Sequence, residues 1–153
     1  MGIARKTAVI IDDEADARNT LRQLLTNFPE IEVVKQAANV SQGKAAILVN
    51  QPDIVFLDIE MPGRNGLELA REIRDNHIET QIIFITAFNK HAIEAFKVAA
   101  FDFLLKPIDP DELTRTLNRL DHTESRNSLN EKLDVLTSFL STQRIRFNTR
   151  NGF

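Results

Sequence analysis

The chain has no cysteine among its 153 residues. That absence excludes disulfides, zinc–thiolate sites and cysteine nucleophiles together. No apolar stretch approaches membrane-spanning length, and residues 1–6 lack the apolar core of a signal peptide. A cytoplasmic protein that does not enter a membrane is therefore expected. Positive charge is not in excess either: 19 Lys and Arg against 22 Asp and Glu leave a net charge of −3. That balance argues against a chain that binds nucleic acid over its whole surface. Internal repeats and low-complexity segments are also missing. What is present is ordinary for a globular protein, 42% hydrophobic and 27% charged, and the length allows one domain with an appendage and a real core.

Short apolar runs alternate with helical periodicities along the chain. Residues 7–11 (TAVII), 54–58 (IVFLD), 81–86 (QIIFIT) and 101–105 (FDFLL) read as interior strands. Residues 31–37 include Glu32 and Lys35 and read as an edge strand. A first helix carries Ala17, Leu21, Leu24, Leu25 and Phe28 and is closed by Pro29. A second, capped by Asn39 or Ser41, carries Ala45, Ala46, Leu48 and Val49 and is ended by Pro52. A third opens at Asn65 or Gly66 and turns Leu67, Ala70 and Ile73 inward, and a fourth is expected over about 90–98. The fifth starts in Asp109-Pro110-Asp111-Glu112, acids and a proline where a helix N-terminus favours them, and turns Leu113, Leu117 and Leu120 to the sheet. Five strands alternating with five helices imply an α/β fold with right-handed crossovers. The expected architecture is a flavodoxin-like (βα)5 doubly wound parallel sheet in strand order 2-1-3-4-5, followed by a C-terminal linker helix.

That order puts strands one and three side by side at the switch point, where open α/β sheets bind ligands. Asp12 and Asp13 follow the first strand, Asp58 ends the third, and Thr86 and Lys106 end the fourth and fifth. Alone, Asp58 reads best as a turn residue capping the helix after it. Together the five converge at one rim. Three carboxylates so close repel by roughly 4 kcal/mol per pair at an effective dielectric near 20. They need a divalent cation or must take up protons. Oxygen ligands without His or Cys select a hard ion, and Mg²⁺ is the most available. Acids, metal, ammonium and hydroxyl around one free carboxylate suit phosphoryl transfer onto that carboxylate.

IIDDE at 10–14, FLDIEMPGRNG at 56–66, TA at 86–87 and LLKP at 104–107 resemble the receiver domain of bacterial two-component response regulators. The resemblance runs over about residues 6–120. It implies Asp58 as phospho-acceptor, Asp13 as direct metal ligand, Asp12 as the second acid, and the backbone carbonyl of Glu60 as the remaining protein ligand. It implies Thr86 as the switch hydroxyl, Lys106 as the lysine that pairs with the phosphoryl group, and a cis bond before Pro107. Phe103 falls at the switch aromatic position, where relatives often carry tyrosine, a residue this chain lacks altogether. The implied partner is a sensor histidine kinase. His77, His91 and His122 show no ligand spacing and read as solvated, and Arg64 has no assignable role.

Beyond Leu120 the character changes. Leu129, Leu133, Leu136 and Leu140 form a narrow apolar seam, suited either to a helix pairing with another chain or to one folding back on its own domain. The tail RIRFNTRNGF at 144–153, together with AIEAFKVAAFDFLLKPI at 92–108 and Phe88, resembles LytTR-family transcription regulators. The expected organisation is a receiver at 1–120, a helical linker at 121–143 and the start of a truncated LytTR-type DNA-binding domain at 144–153. The expected function is a phosphorylation-driven switch, not an enzyme beyond its own phosphorylation and dephosphorylation. Its output is a homodimer, formed through the fourth helix, fifth strand and fifth helix, whose mixed charges include Arg115, Asp102, Asp111 and Glu112, and DNA is reached through the missing domain. The alternative is a phosphoaspartyl hydrolase of the haloacid-dehalogenase-like type. That family usually has a second aspartate two residues after the nucleophile, where this chain has Glu60, and no cap insertion is visible. A flavodoxin-like cofactor binder is disfavoured by the acidic first loop, which would repel a phosphate.

Overall fold

The computed structural model describes residues 5–87, 95 and 98–121. Five strands form one parallel sheet: β1 (Lys6–Ile11), β2 (Ile31–Ala37), β3 (Ile54–Leu57), β4 (Gln81–Thr86) and β5 (Asp102–Leu105), in the order β2-β1-β3-β4-β5. The described helices are α1 (Ala15–Leu25), α2 (Val40–Asn50), α3 (Gly66–Asp75) and α4 (Pro110–Asn118), with a 3-10 turn at Arg119–Asp121 after α4. The flavodoxin-like architecture expected from the alternation is the one found. The helix expected near 90–98, the leucine seam and the tail at 144–153 lie outside the described residues, apart from Ala95 and Val98.

Side-chain alternation along each interior strand builds two cores, one per sheet face. Val9, Ile11, Val55, Leu57, Ile82 and Phe84 pack under α2 and α3. Their neighbours Ala8, Ile10, Ile54, Phe56, Ile83 and Ile85 pack under α1 and α4. Helix α1 contributes Leu21 and Leu25, and α3 contributes Leu67, Leu69, Ala70 and Ile73. Asn39 resolves the choice of cap for α2 by accepting a hydrogen bond from the Gln42 N–H at 2.8 Å. Asn65 and Asp109 cap α3 and α4 in the same way, from Leu67 and Asp111.

Three readings are corrected. The inward stripe of α2 is Val40, Gly43, Ala46 and Ile47, while Leu48 and Val49 are 55% and 81% exposed. The helix lies so close to β1 that a Cβ on Gly43 would stand 2.6 Å from Ile11 Cδ1, and this close approach decides which face turns in. Helices α1 and α2 also end at Leu25 and Asn50, short of the prolines, because Thr26 and a left-handed Gln51 close them first. Asp102 is not a surface charge of a partner face. It is fully buried: its Oδ1 accepts from the Phe103 N–H at 2.8 Å, and its Oδ2 accepts from the Thr116 hydroxyl and Arg119 Nη2. A carboxylate on the inward side of β5 has to be paired, and α4 and its 3-10 turn supply the partners.

Candidate functional site

Strands β1 and β3 are neighbours, so the residues just past their carboxyl ends meet. The Asp58 N–H donates to Ile11 O at 2.9 Å, one residue beyond the end of β3. This continues the ladder and aims the aspartate at the rim. Asp58 is 5% exposed, Asp12 is 6% exposed, and Asp13 is the least buried of the three. Oxygens of Asp12, Asp13 and Asp58 lie within 4.8 Å of one another. Lys106 Nζ reaches across from the end of β5, donating to Asp12 Oδ2 at 2.7 Å and to Asp58 Oδ2 at 3.4 Å. The Lys106 N–H donates to Thr86 O at 2.8 Å, tying the ends of β4 and β5 together. The Lys106–Pro107 bond is cis.

The five rim residues named from the sequence are thus brought together. Thr86 is fully buried, and its hydroxyl oxygen has no hydrogen-bond partner among the described residues. A buried hydroxyl left unsatisfied at a site's edge calls for a ligand or a moving partner. Phe103 is 3% exposed, opposite Phe84 on the adjacent strand, and belongs to the core under α2 and α3. The Glu60 backbone hydrogen-bonds to the Asp58 carboxylate. Glu14 is exposed beyond Asp12, with its carboxylate 4.0 Å from Lys106 Nζ. His77 is exposed, and the other two histidines lie outside the described residues.

Three supporting residues had no role at the site assigned from the sequence. Arg18 Nη1 donates to the backbone oxygen of Asp12 at 2.6 Å and fixes the turn that presents the two acids. Gly66 opens α3 against the backbone of Asp58, where any Cβ would collide with the Asp58 carbonyl oxygen. Arg64 acquires a structural role: it pairs with Glu68 and Glu72 on α3, and Lys44 of α2 joins Glu72 at 3.2 Å. Its i,i+4 spacing to Glu68 was the one legible sign.

Charge decides the chemistry of this cluster. Burial first, and then the negative charge of Asp12, push the Asp58 carboxyl up to about 6 from 3.8, against the pull of Lys106 and of the Glu60 backbone. Burial lowers the Lys106 ammonium, but its bonds to Asp12 and the charges of Asp58 and Asp12 outweigh that and raise it, so it stays cationic. The cluster is short of positive charge, and its donors are all oxygens. It therefore fits a hard divalent cation.

The raised Asp58 carboxyl predicts how stability depends on pH. In the folded state Asp58 binds its proton more tightly than when unfolded. That stabilises the metal-free fold fully below 3.8 and is lost as pH rises through about 6. About two units correspond to at most about 3 kcal/mol. In chelator-treated protein, Asp58→Asn is expected to be more stable than wild type in urea at pH 8, with the advantage shrinking by pH 5. An advantage that is the same at both pH values contradicts the shift.

Residues 8–118 match the family described as the response regulator receiver domain. The chain is 42% identical over 131 residues to an uncharacterized response regulatory protein of Vibrio parahaemolyticus, covering 86% of this chain and 54% of that protein. It is 42% identical over 121 residues to the transcriptional regulatory protein BtsR of Escherichia coli, covering 79% of this chain and 50% of BtsR. The chain spans about half the length of these curated relatives. Among solved structures, the response regulatory domain of protein mrkE from Klebsiella pneumoniae is similar at 30% identity and a TM-score of 0.70, covering 82% of this chain and 98% of that one. No helix among the described residues is long and apolar enough to cross a membrane.

Proposed function

The chain belongs to the response regulator receiver domain family, and from that membership we propose that Asp58 accepts a phosphoryl group from a sensor histidine kinase and that the acyl phosphate switches a transcriptional output. The observation that carries this is the buried Asp58 carboxylate, held up in pKa and within reach of Lys106, whose backbone N–H is tied to Thr86 at the end of β4. Asp12, Asp13, Asp58 and the backbone carbonyl of Glu60 would hold Mg²⁺, with Asp13 as the direct carboxylate ligand and Asp12 as the second acid. When bound, the ion supplies the positive charge that lets the carboxylates and a phosphoryl group share the site.

In this reading Asp58 is the nucleophile and Lys106 balances the charge that gathers on the phosphoryl oxygens. In the phosphorylated state Thr86 gains a hydrogen-bond acceptor that the described residues do not give it. Movement of Thr86 toward the phosphoryl group frees space beside β4 and β5, and the packing of Phe103 responds. Phosphate thereby shifts the balance between two arrangements of the partner face. The chain is a regulator whose own chemistry is limited to gaining and losing its phosphate. It acts in the cytoplasm as part of a longer regulator, its receiver at 1–120 joined by the linker at 121–143 to a LytTR-type DNA-binding domain beginning at 144–153. The tail's likeness to that family and the longer transcriptional relatives support this.

Two measurements test the reading. Acetyl phosphate should add one phosphoryl mass per chain with magnesium and little with a chelator; equal gains in both would remove the metal from the account. Light scattering should show weak dimers at rest and tighter ones with phosphate, through the helix expected near 90–98, β5, α4 and the leucine seam, with Arg115, Asp111 and Glu112 offering mixed charge and Asp102 excluded by its burial. A mass unaffected by phosphate at every concentration would eliminate dimerisation as the output. Leu133→Glu dimerising as well as wild type would assign the seam to its own chain.

A further inference from the structure

Beside Asp58, between α1, the sheet and the loop after β5, lies a cavity of about 250 Å³. Its walls are chiefly apolar: Ile10, Phe56 and Ile85 from the sheet, Ala17 and Leu21 from α1, and Ile108 from the loop. Asp12, Asp58 and Lys106 also line it, so it is continuous with the acidic site. Nothing in the charge chemistry above uses this space. An apolar cavity of about 150 Å³ already suffices to hold a benzene ring. A pocket that joins apolar walls to an ammonium and an acceptor carboxylate matches a ligand with a phosphoryl head and a short apolar tail.

We propose that this cavity receives the acyl tail of acyl phosphates, making the site selective for donors such as butyryl phosphate over acetyl phosphate; this rests on Asp58 being the phospho-acceptor. In the transfer, an Asp58 carboxylate oxygen forms the new bond to phosphorus. The bond from phosphorus to the acyl oxygen breaks, and the carboxylate product leaves with that electron pair. No proton has to move, because Asp58 attacks as the anion and the product leaves as one. The tail changes only how well the donor is held. Each methylene buried there is worth a factor of about three to four in association. Butyryl phosphate carries two more methylenes than acetyl phosphate and should load Asp58 about tenfold faster at low donor concentration.

The test uses the intact chain. Intact-mass time courses with magnesium compare phosphoramidate, acetyl phosphate and butyryl phosphate on wild type and on Ala17→Leu, which fills the cavity from α1. The expected result is a preference of about tenfold for the butyryl donor in wild type, reduced to about twofold or less in the variant, with phosphoramidate rates alike in the two. Equal rates for the two acyl donors in wild type, or an undiminished preference in a folded variant, overturn the proposal. Binding is read separately by NMR with methylphosphonate and butylphosphonate. Butylphosphonate, with three more methylenes, should bind about thirtyfold more tightly and shift the methyl signals of Leu21 and Ile108; equal affinities, or shifts elsewhere, also overturn it. If no donor loads Asp58 in folded protein, the acceptor reading fails, while the phosphonate comparison still decides whether the cavity takes an apolar tail.

Discussion

Asp58→Asn should leave the chain unable to gain phosphate from any donor, a complete loss rather than a reduction. A carboxamide is neutral and too weak a nucleophile to attack phosphorus, and the neighbouring acids are poorly set to replace it. Asp12 is committed at both oxygens, one accepting from the Glu14 N–H at 2.9 Å and the other from Lys106 at 2.7 Å. Asp13 has no hydrogen bond to Lys106 among the described contacts, and it is the most solvated of the three. Asp58 combines burial, reach to Lys106 and a carboxyl held up near 6, so above that pH it is a poorly solvated anion. Such an anion gains most by sharing its charge with an incoming electrophile. The measurement is intact mass after donor treatment in magnesium. A gain in Asp58→Asn equal to that of wild type would falsify the assignment, and a small residual gain mapped to Asp13 would identify a bypass.

The largest expected effect on stability lies away from the site, at Arg119. Its guanidinium is the cationic partner of the fully buried Asp102, alongside Thr116. Arg119→Gln keeps some polar reach but removes the charge, and the buried carboxylate in β5 loses its guanidinium partner while keeping the Phe103 N–H and the Thr116 hydroxyl. Breaking a buried pair this way costs about 3–5 kcal/mol. The lower end is expected here, because the Arg119 side chain is 22% exposed and water can follow it in. Arg119→Gln together with Asp102→Asn should recover much of the loss, since neutral amides can bond to each other and to Thr116. Urea unfolding of both variants and wild type decides it. A single variant within about 0.5 kcal/mol of wild type, the range of ordinary surface changes, contradicts the pairing. Because Asp102 lies between the sheet and α4, unfolding should also be less cooperative at that edge if the pair is lost.

Much of this molecule was legible before any coordinates. The strand runs were recognisable because interior parallel strands are buried on both faces and read as unbroken apolar stretches, as in IVFL and QIIFIT. The rim residues were legible because burying an unpaired polar group is costly. Asp12, Asp58, Thr86 and Lys106 each fall where an apolar run ends, and it was their joint convergence, not any one of them, that pointed to a site. The misreadings have a common cause. Leu48 and Val49 looked like core, and Asp102 looked like surface, because hydropathy reports what a side chain prefers and not which neighbours are available. Gly43 lets α2 close on Ile11 and selects the face, and Arg119 reaches Asp102 from seventeen positions away and makes its burial affordable.

By itself, then, the sequence determined the five strand runs and the polar residues that end them, since these follow from periodicity and from the cost of burying charge, and it pointed to the strand order as the one favoured for five alternating units. Only the tertiary structure decided which acid Lys106 holds most closely, that Thr86 has a buried hydroxyl without a partner among the described residues, and that an apolar cavity opens beside Asp58. Those are distances and volumes between segments far apart in the chain. They are fixed by how α1, the sheet and the loop after β5 pack together, and no local pattern of residues encodes the space left between them.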